Sequence, residues 1–188
     1  MNVYLVRHTR PALEGSRCYG RLDADLPPGW QEEAAILQTR LPADAALLTA
    51  PDRRCRQLAD LLALPTGNAA IIDDRLVELD FGAWEGLAWA DVPHAESVHW
   101  AGDVWNRSPP DGETYATLHE RVSAAWQSLV LMDVDTVVVI GNAGPLRALI
   151  TIALELPRDS FVRIHLGYAK VTLLSDASGG WRLEFANR

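Results

Sequence analysis

Apolar residues in this chain fall into short unbroken runs, separated by longer stretches with helical spacing. Val3-Tyr4-Leu5-Val6 predicts a buried opening strand, because three of its four residues are β-branched or aromatic, and it ends at Arg7-His8. A polar loop bearing proline and glycine follows to about Gly29, a length usually kept for function. Trp30 to Leu41 reads as a helix stopped by Pro42, and Ala45 to Thr49 as a short strand ended at Ala50-Pro51. Arg53 to Leu62 predicts a helix with Leu58, Leu61 and Leu62 on one side, and Ala69 to Ile72 another short strand. Thr114 to Met132 is the plainest helix, with Tyr115, Leu118, Val122, Trp126 and Leu129 at three- and four-residue steps. Thr136 to Ile140 is β-branched without alternation, as expected of a strand covered on both faces. Gly141 to Gly144 predicts a tight turn, and Pro145 the opening of a helix that runs to about Leu156. Val162–Leu166, Lys170–Leu174 and Trp181–Phe185 predict strands, the last two joined by a Ser/Gly turn.

Strands alternating with helices predict an α/β fold of three layers, α/β/α, with a mostly parallel sheet and an antiparallel edge at the C-terminal end. Between Glu78 and Asp111 the texture changes to Gly, Pro and four of the seven tryptophans, which predicts a short, irregular cap at about 84–111 on a single domain spanning 1–188. That length buries a core without help from metal or disulfides. The formal charge of −8, with no basic block, argues against a nucleic-acid surface. An acidic protein of this kind can still hold a small anion through a few local arginines. Lys170 is the single lysine, and arginine suits bidentate recognition of phosphate or carboxylate. No signal-peptide pattern and no apolar run of about 18 residues is present, so a cytoplasmic protein without membrane contact is expected. Cys18 and Cys55, without CxxC spacing, fit a reducing compartment.

In such a sheet ligands bind beyond the carboxyl ends of the strands. Arg7-His8, the Ala50-Pro51-Asp52-Arg53-Arg54 turn, the Glu78 loop and the Gly141-Asn142-Ala143-Gly144 turn all belong there, the last at a helix N-terminus that favours an anion. Arginines, a histidine and a carboxylate make a phosphoryl site. A neutral imidazole can attack phosphorus, guanidinium groups match the oxygens, and a carboxylic acid can protonate the leaving oxygen.

Five segments in register then carry a resemblance. They are Val6-Arg7-His8-Thr9, Pro51 to Ala59 with Arg54 and Gln57, Glu78 to Gly86, Gly112-Glu113-Thr114, and Gly144 to Leu149. Together they resemble the histidine phosphatase (phosphoglycerate mutase-like) superfamily. Cys18-Tyr19-Gly20-Arg21 and Asp23, following Arg-His-Thr, are similar to the α-ribazole phosphatases of cobalamin biosynthesis. The resemblance implies that His8 is the nucleophile that becomes a phosphohistidine, and that Glu78 is the proton donor and then the base for water. It implies phosphate contacts from Arg7, Arg54, Asn142 and Ala143, substrate contacts from Thr9, Tyr19 and Arg21, and no cofactor. Glu85 and Glu113 read as structural loop carboxylates. No HExxH or close histidine pair exists, so no metal is expected; His94, His99, His119 and His165 read as ordinary surface or packed residues. The tryptophans of the cap could stack a flat leaving group such as a benzimidazole, although tryptophan more often fills a small core.

One position departs from the resemblance. Asn142 stands where a second histidine belongs, and Gly141 where a serine belongs. An asparagine amide donates a neutral hydrogen bond in place of a charge-assisted one, at a cost on the order of 1–2 kcal/mol. If that charge chiefly stabilises the transition state, the loss approaches about 10²–10³-fold. Two functions follow as expectations: a phosphomonoesterase for a small phosphorylated metabolite, α-ribazole 5′-phosphate among the candidates, or a degenerate member that binds a phosphorylated ligand or a protein partner. A mutase is expected less, because the cap is short.

Overall fold

One sheet organises the computed structural model, which describes residues 1–63, 67, 69–177 and 179–188. Among the described residues its strands are β1 (Asn2–Arg7), β2 (Ala46–Thr49), β3 (Ile71–Ile72), β4 (Thr136–Gly141), β5 (Val171–Ala177) and β6 (Gly180–Phe185), in the order β3-β2-β4-β1-β5-β6. β1, β2, β3 and β4 pair in parallel; β5 runs antiparallel to β1, and β6 antiparallel to β5. Helices α1 (Trp30–Gln38), α2 (Arg53–Ala63), α4 (Tyr115–Leu129) and α5 (Ala143–Ala153) flank it, and α3 (His94–Ala101) lies in the segment between β3 and α4. Val137 to Ile140 are wholly buried, so β4 is covered on both faces. The sheet and its flanking helices are those of the α/β class expected from the sequence.

α4 forms because its apolar stripe (Tyr115, Leu118, Val122, Trp126, Leu129) is buried against α5. Its first turn is closed by the Thr114 hydroxyl, which accepts from the amide of Thr117. α5 begins at Ala143, two residues before Pro145, which still lies in the first turn where its missing N–H costs nothing. No helix among the described residues is long and apolar enough to cross a membrane.

The structure differs from the sequence reading in two places. Val162–Leu166 is not a strand: a 3-10 turn covers Arg158–Arg163, and an extended strap follows it carrying His165. Both edges of β1 are already taken by β4 and β5, so this β-branched run has no ladder to join. The cap is more regular than expected, since α3 is a helix. None of α3's residues is buried, which is why no apolar period announced it. The Ser/Gly turn between β5 and β6 includes Ser178, which lies outside the described residues.

Candidate active site

The ends of β1, β4 and β2 are held in step beyond their last ladder pairs. The His8 amide donates to the Gly141 carbonyl at 3.2 Å, and the Ala50 amide to the Ile140 carbonyl at 2.9 Å. These bonds gather the segments after three strands at the carboxyl edge of the sheet, where an open cavity of about 650 Å³ forms. Arg7, His8, Glu78, Ala143 and Gly144 line it.

His8 is only 1% exposed, yet its residue forms part of the cavity wall. Its Nδ1 lies 2.6 Å from the Thr9 carbonyl oxygen. A carbonyl only accepts, so Nδ1 carries the hydrogen and Nε2 keeps its lone pair. Burial and then the Arg54 charge hold the imidazole well below the ordinary histidine range, with Arg7 adding to the effect against the Thr9 bond. The ring is therefore neutral at pH 7, with one nitrogen free to act as a base or nucleophile.

Glu78 stands on the same cavity. Its carboxylate accepts the Leu79 amide at 2.9 Å and the Gly144 amide at 3.1 Å, so it occupies the N-terminus of α5 itself. Burial raises its pKa above the usual carboxylate value, opposed by those two bonds and by Arg54. A carboxyl with a raised pKa can deliver a proton. Gly144 permits the approach: a Cβ there would stand 2.1 Å from a Glu78 oxygen.

Behind this wall lies a closed polar knot. The Arg54 Nε donates to the Asn142 Oδ1 at 2.9 Å, and the Asn142 Nδ2 donates to the Asp52 Oδ2 at 2.6 Å. Arg54 Nη2 pairs with Asp52 Oδ1 at 3.1 Å and donates to the Gly20 carbonyl at 2.6 Å, while Nη1 donates to the Leu22 carbonyl at 2.8 Å. Arg54 and Asn142 are fully buried and neither lines the cavity. The resemblance implies phosphate contacts from these two residues, and the structure engages their polar groups within the knot. A buried carboxylate requires donors, and Asp52 takes the asparagine amide and one arm of the guanidinium. The charge of Arg54 still reaches His8 through space.

The remaining residues divide. Tyr19 lines the cavity, its hydroxyl 2.6 Å from that of Tyr168. Arg21 does not: its side chain turns to Asp80 at 3.4 Å and Glu113 at 3.6 Å. The opposite charges of those two carboxylates, brought in by distant loops, explain that direction. Thr9 is wholly buried and off the wall, its hydroxyl without a partner and its carbonyl serving His8. Glu85 accepts the amides of Gly20, Arg21, Leu22 and Phe81, and Glu113 holds Arg121, so both carboxylates brace loops. His94, His99, His119 and His165 are all off the cavity. Among the described residues no cluster of three His, Cys, Asp or Glu is placed to hold a metal ion.

Sequence reasoning missed Arg147, Tyr168 and Tyr115, all on the cavity wall. Arg147 carried a usable signal, standing one turn into the helix that leaves the Gly141–Gly144 turn. Tyr168 carried none, because its position depends on the strap that the sequence read as a strand. In the cap, Trp84 fills a small core, while Phe81, Trp89 and Trp100 face the cavity as an aromatic wall. The Trp89 and Trp100 rings stack at 6.3 Å.

Residues 3–188 match the family model described as the histidine phosphatase superfamily (branch 1). The bifunctional protein Rv2228c of Mycobacterium tuberculosis is 30% identical over 179 residues, covering 91% of this chain and 49% of that protein. The chain thus spans about half the length of the first curated relatives it matches. A glucosyl-3-phosphoglycerate phosphatase of Mycolicibacterium vanbaalenii is 30% identical over 177 residues, covering 85% of this chain and 76% of that one. Among solved structures, the mycobacterial glucosyl-3-phosphoglycerate phosphatase Rv2419c superposes with a TM-score of 0.85 at 27% identity, covering 99% and 98% of the two chains. The α-ribazole phosphatase from Shigella flexneri gives 0.91 at 21% identity over 100% and 96%, a likeness of fold.

Proposed function

The chain belongs to the histidine phosphatase superfamily, and from that premise we propose that it is a cofactor-independent phosphomonoesterase acting on a small phosphorylated metabolite. The observation that carries the reading is an imidazole whose Nδ1 is held by the Thr9 carbonyl, leaving Nε2 for chemistry, on one cavity with the Glu78 carboxyl group. The Nε2 lone pair forms a bond to phosphorus as the P–O bond to the leaving group breaks. That oxygen keeps the bonding electron pair and takes the proton of Glu78. Water then attacks the phosphohistidine, its proton passes to the Glu78 carboxylate, the N–P bond breaks and phosphate leaves. No step calls for a metal, and turnover unaffected by EDTA is part of the proposal.

The aromatic wall supports a leaving group with a flat ring, for which α-ribazole 5′-phosphate is a fitting candidate. A panel of phosphorylated metabolites tests this, with ring-bearing esters expected above linear ones in kcat/KM.

A second reading has its own observation: the amide of Asn142 is closed off by Asp52 and Arg54, so it brings no charge to the phosphoryl group. On that reading the chain binds a phosphorylated ligand or protein without turnover. Turnover of p-nitrophenyl phosphate by the wild-type chain, with an acid-labile phosphoenzyme, is the expected result. Activity that arises only with Asn142→His would overturn the catalytic reading and establish the other.

Gly144→Ala tests the acid directly. The added methyl group displaces the Glu78 carboxylate while suiting the helix, so activity is expected to fall about 10²-fold with the helical circular dichroism unchanged. Unchanged kcat in that variant would remove Glu78 from the reaction.

A further inference from the structure

The charges around the cavity are unevenly satisfied. Arg54 is neutralised by Asp52 and saturated by carbonyl groups. Arg7 and Arg147 are both half-buried, line the cavity, and make no ion pair among the described residues. Each is pinned by one bond to the same extended strap: Arg7 Nη1 donates to the Leu166 carbonyl at 2.6 Å, and Arg147 Nε to the Ile164 carbonyl at 2.7 Å. Arg7 Nε is buried without a partner, and the guanidinium lies 3.8 Å from the centroid of the Tyr168 ring. Among the described residues, neither terminal nitrogen of Arg147 has a hydrogen-bond acceptor.

We infer that Arg147 is a phosphoryl ligand, paired with Arg7, and that it supplies the second positive charge that Asn142 cannot. The inference rests on the phosphohistidine reading above and adds a residue to it. Two like charges set side by side and taken partly out of water are costly unless an anion joins them. Burial lowers the Arg147 pKa, the Glu78 carboxylate and Tyr115 oppose that, and the Arg7 charge adds to the lowering. Arg7 immediately precedes His8, and Arg147 lines the same cavity as both. The two strap bonds fix both guanidinium groups before the substrate arrives, so little entropy is lost on binding.

The test compares the wild type with Arg147→Met and Arg147→Lys, reading inhibition by inorganic phosphate and the rate of phosphoenzyme formation from p-nitrophenyl phosphate. Methionine is expected to weaken phosphate binding about 10- to 100-fold and to slow phosphoenzyme formation, while lysine stays within about threefold of wild type. Both variants lose the bond to Ile164, so equal damage in both would assign Arg147 a structural role and overturn the inference. An unaffected methionine variant would overturn it as well. So would a methionine variant weakened only toward esters bearing a second acidic group, since that assigns Arg147 to the leaving group. A wild-type chain that binds no phosphate and forms no phosphoenzyme would instead refute the phosphatase reading itself.

Discussion

His8→Ala is expected to abolish phosphoenzyme formation and to lower turnover of p-nitrophenyl phosphate by on the order of 10³-fold or more. Among the described residues no other histidine lines the cavity, so nothing replaces the lost nucleophile. Rapid acid quench with a radiolabelled substrate reads the first effect, and steady-state kinetics the second. Removing a buried ring also leaves a void, so thermal unfolding is followed alongside to separate loss of chemistry from loss of fold. A folded His8→Ala protein that keeps full turnover would place the site elsewhere.

Glu78→Gln should produce the second-largest effect, and its size should depend on the leaving group. Glutamine keeps the shape and can still accept a backbone amide, but it has no proton to give. Alkyl phosphates, whose leaving alkoxide needs that proton, should lose about 10²–10⁴-fold, and p-nitrophenyl phosphate much less. The pH profile supplies a further check. In the proposed mechanism His8 acts when neutral, so activity is expected to fall on the acid side as pH drops through its lowered pKa, below the ordinary 6.5. Glu78 there acts first when protonated, so activity is expected to fall on the alkaline side as pH rises through its raised pKa, above 4.5. The glutamine variant should keep the acid limb and lose the alkaline one. An alkaline limb that survives unchanged would show that another group donates the proton.

Both predictions concern residues that were legible in the sequence, and the reason is local. A β-branched run that stops at Arg7-His8 puts those side chains at a strand end, whatever the rest of the chain does. The apolar run Thr136–Ile140 followed by Gly141–Gly144 likewise fixes a strand, a turn and a helix start in that order. Neighbours in the chain decide such features, so composition and spacing suffice. Arg54 shows where that reasoning stops. Its place at the start of α2 could be read, but its hydrogen bonds reach Gly20, Leu22 and Asn142, up to 88 residues away. Nothing in the Asp52 segment alone says that its carboxylate will take the asparagine amide.

The sequence by itself therefore determined the α/β layering, the strand end that carries the imidazole, and the loop that carries Glu78. Tertiary structure alone decided which cations face the cavity. It closed Asp52, Arg54 and Asn142 into a knot, turned Arg21 toward Asp80 and Glu113, and set Arg7 and Arg147 on one strap with no ion pair among the described residues. The cause is that a buried charge takes its partners from whatever segments folding brings within hydrogen-bond reach, and that competition leaves no periodic trace along the chain.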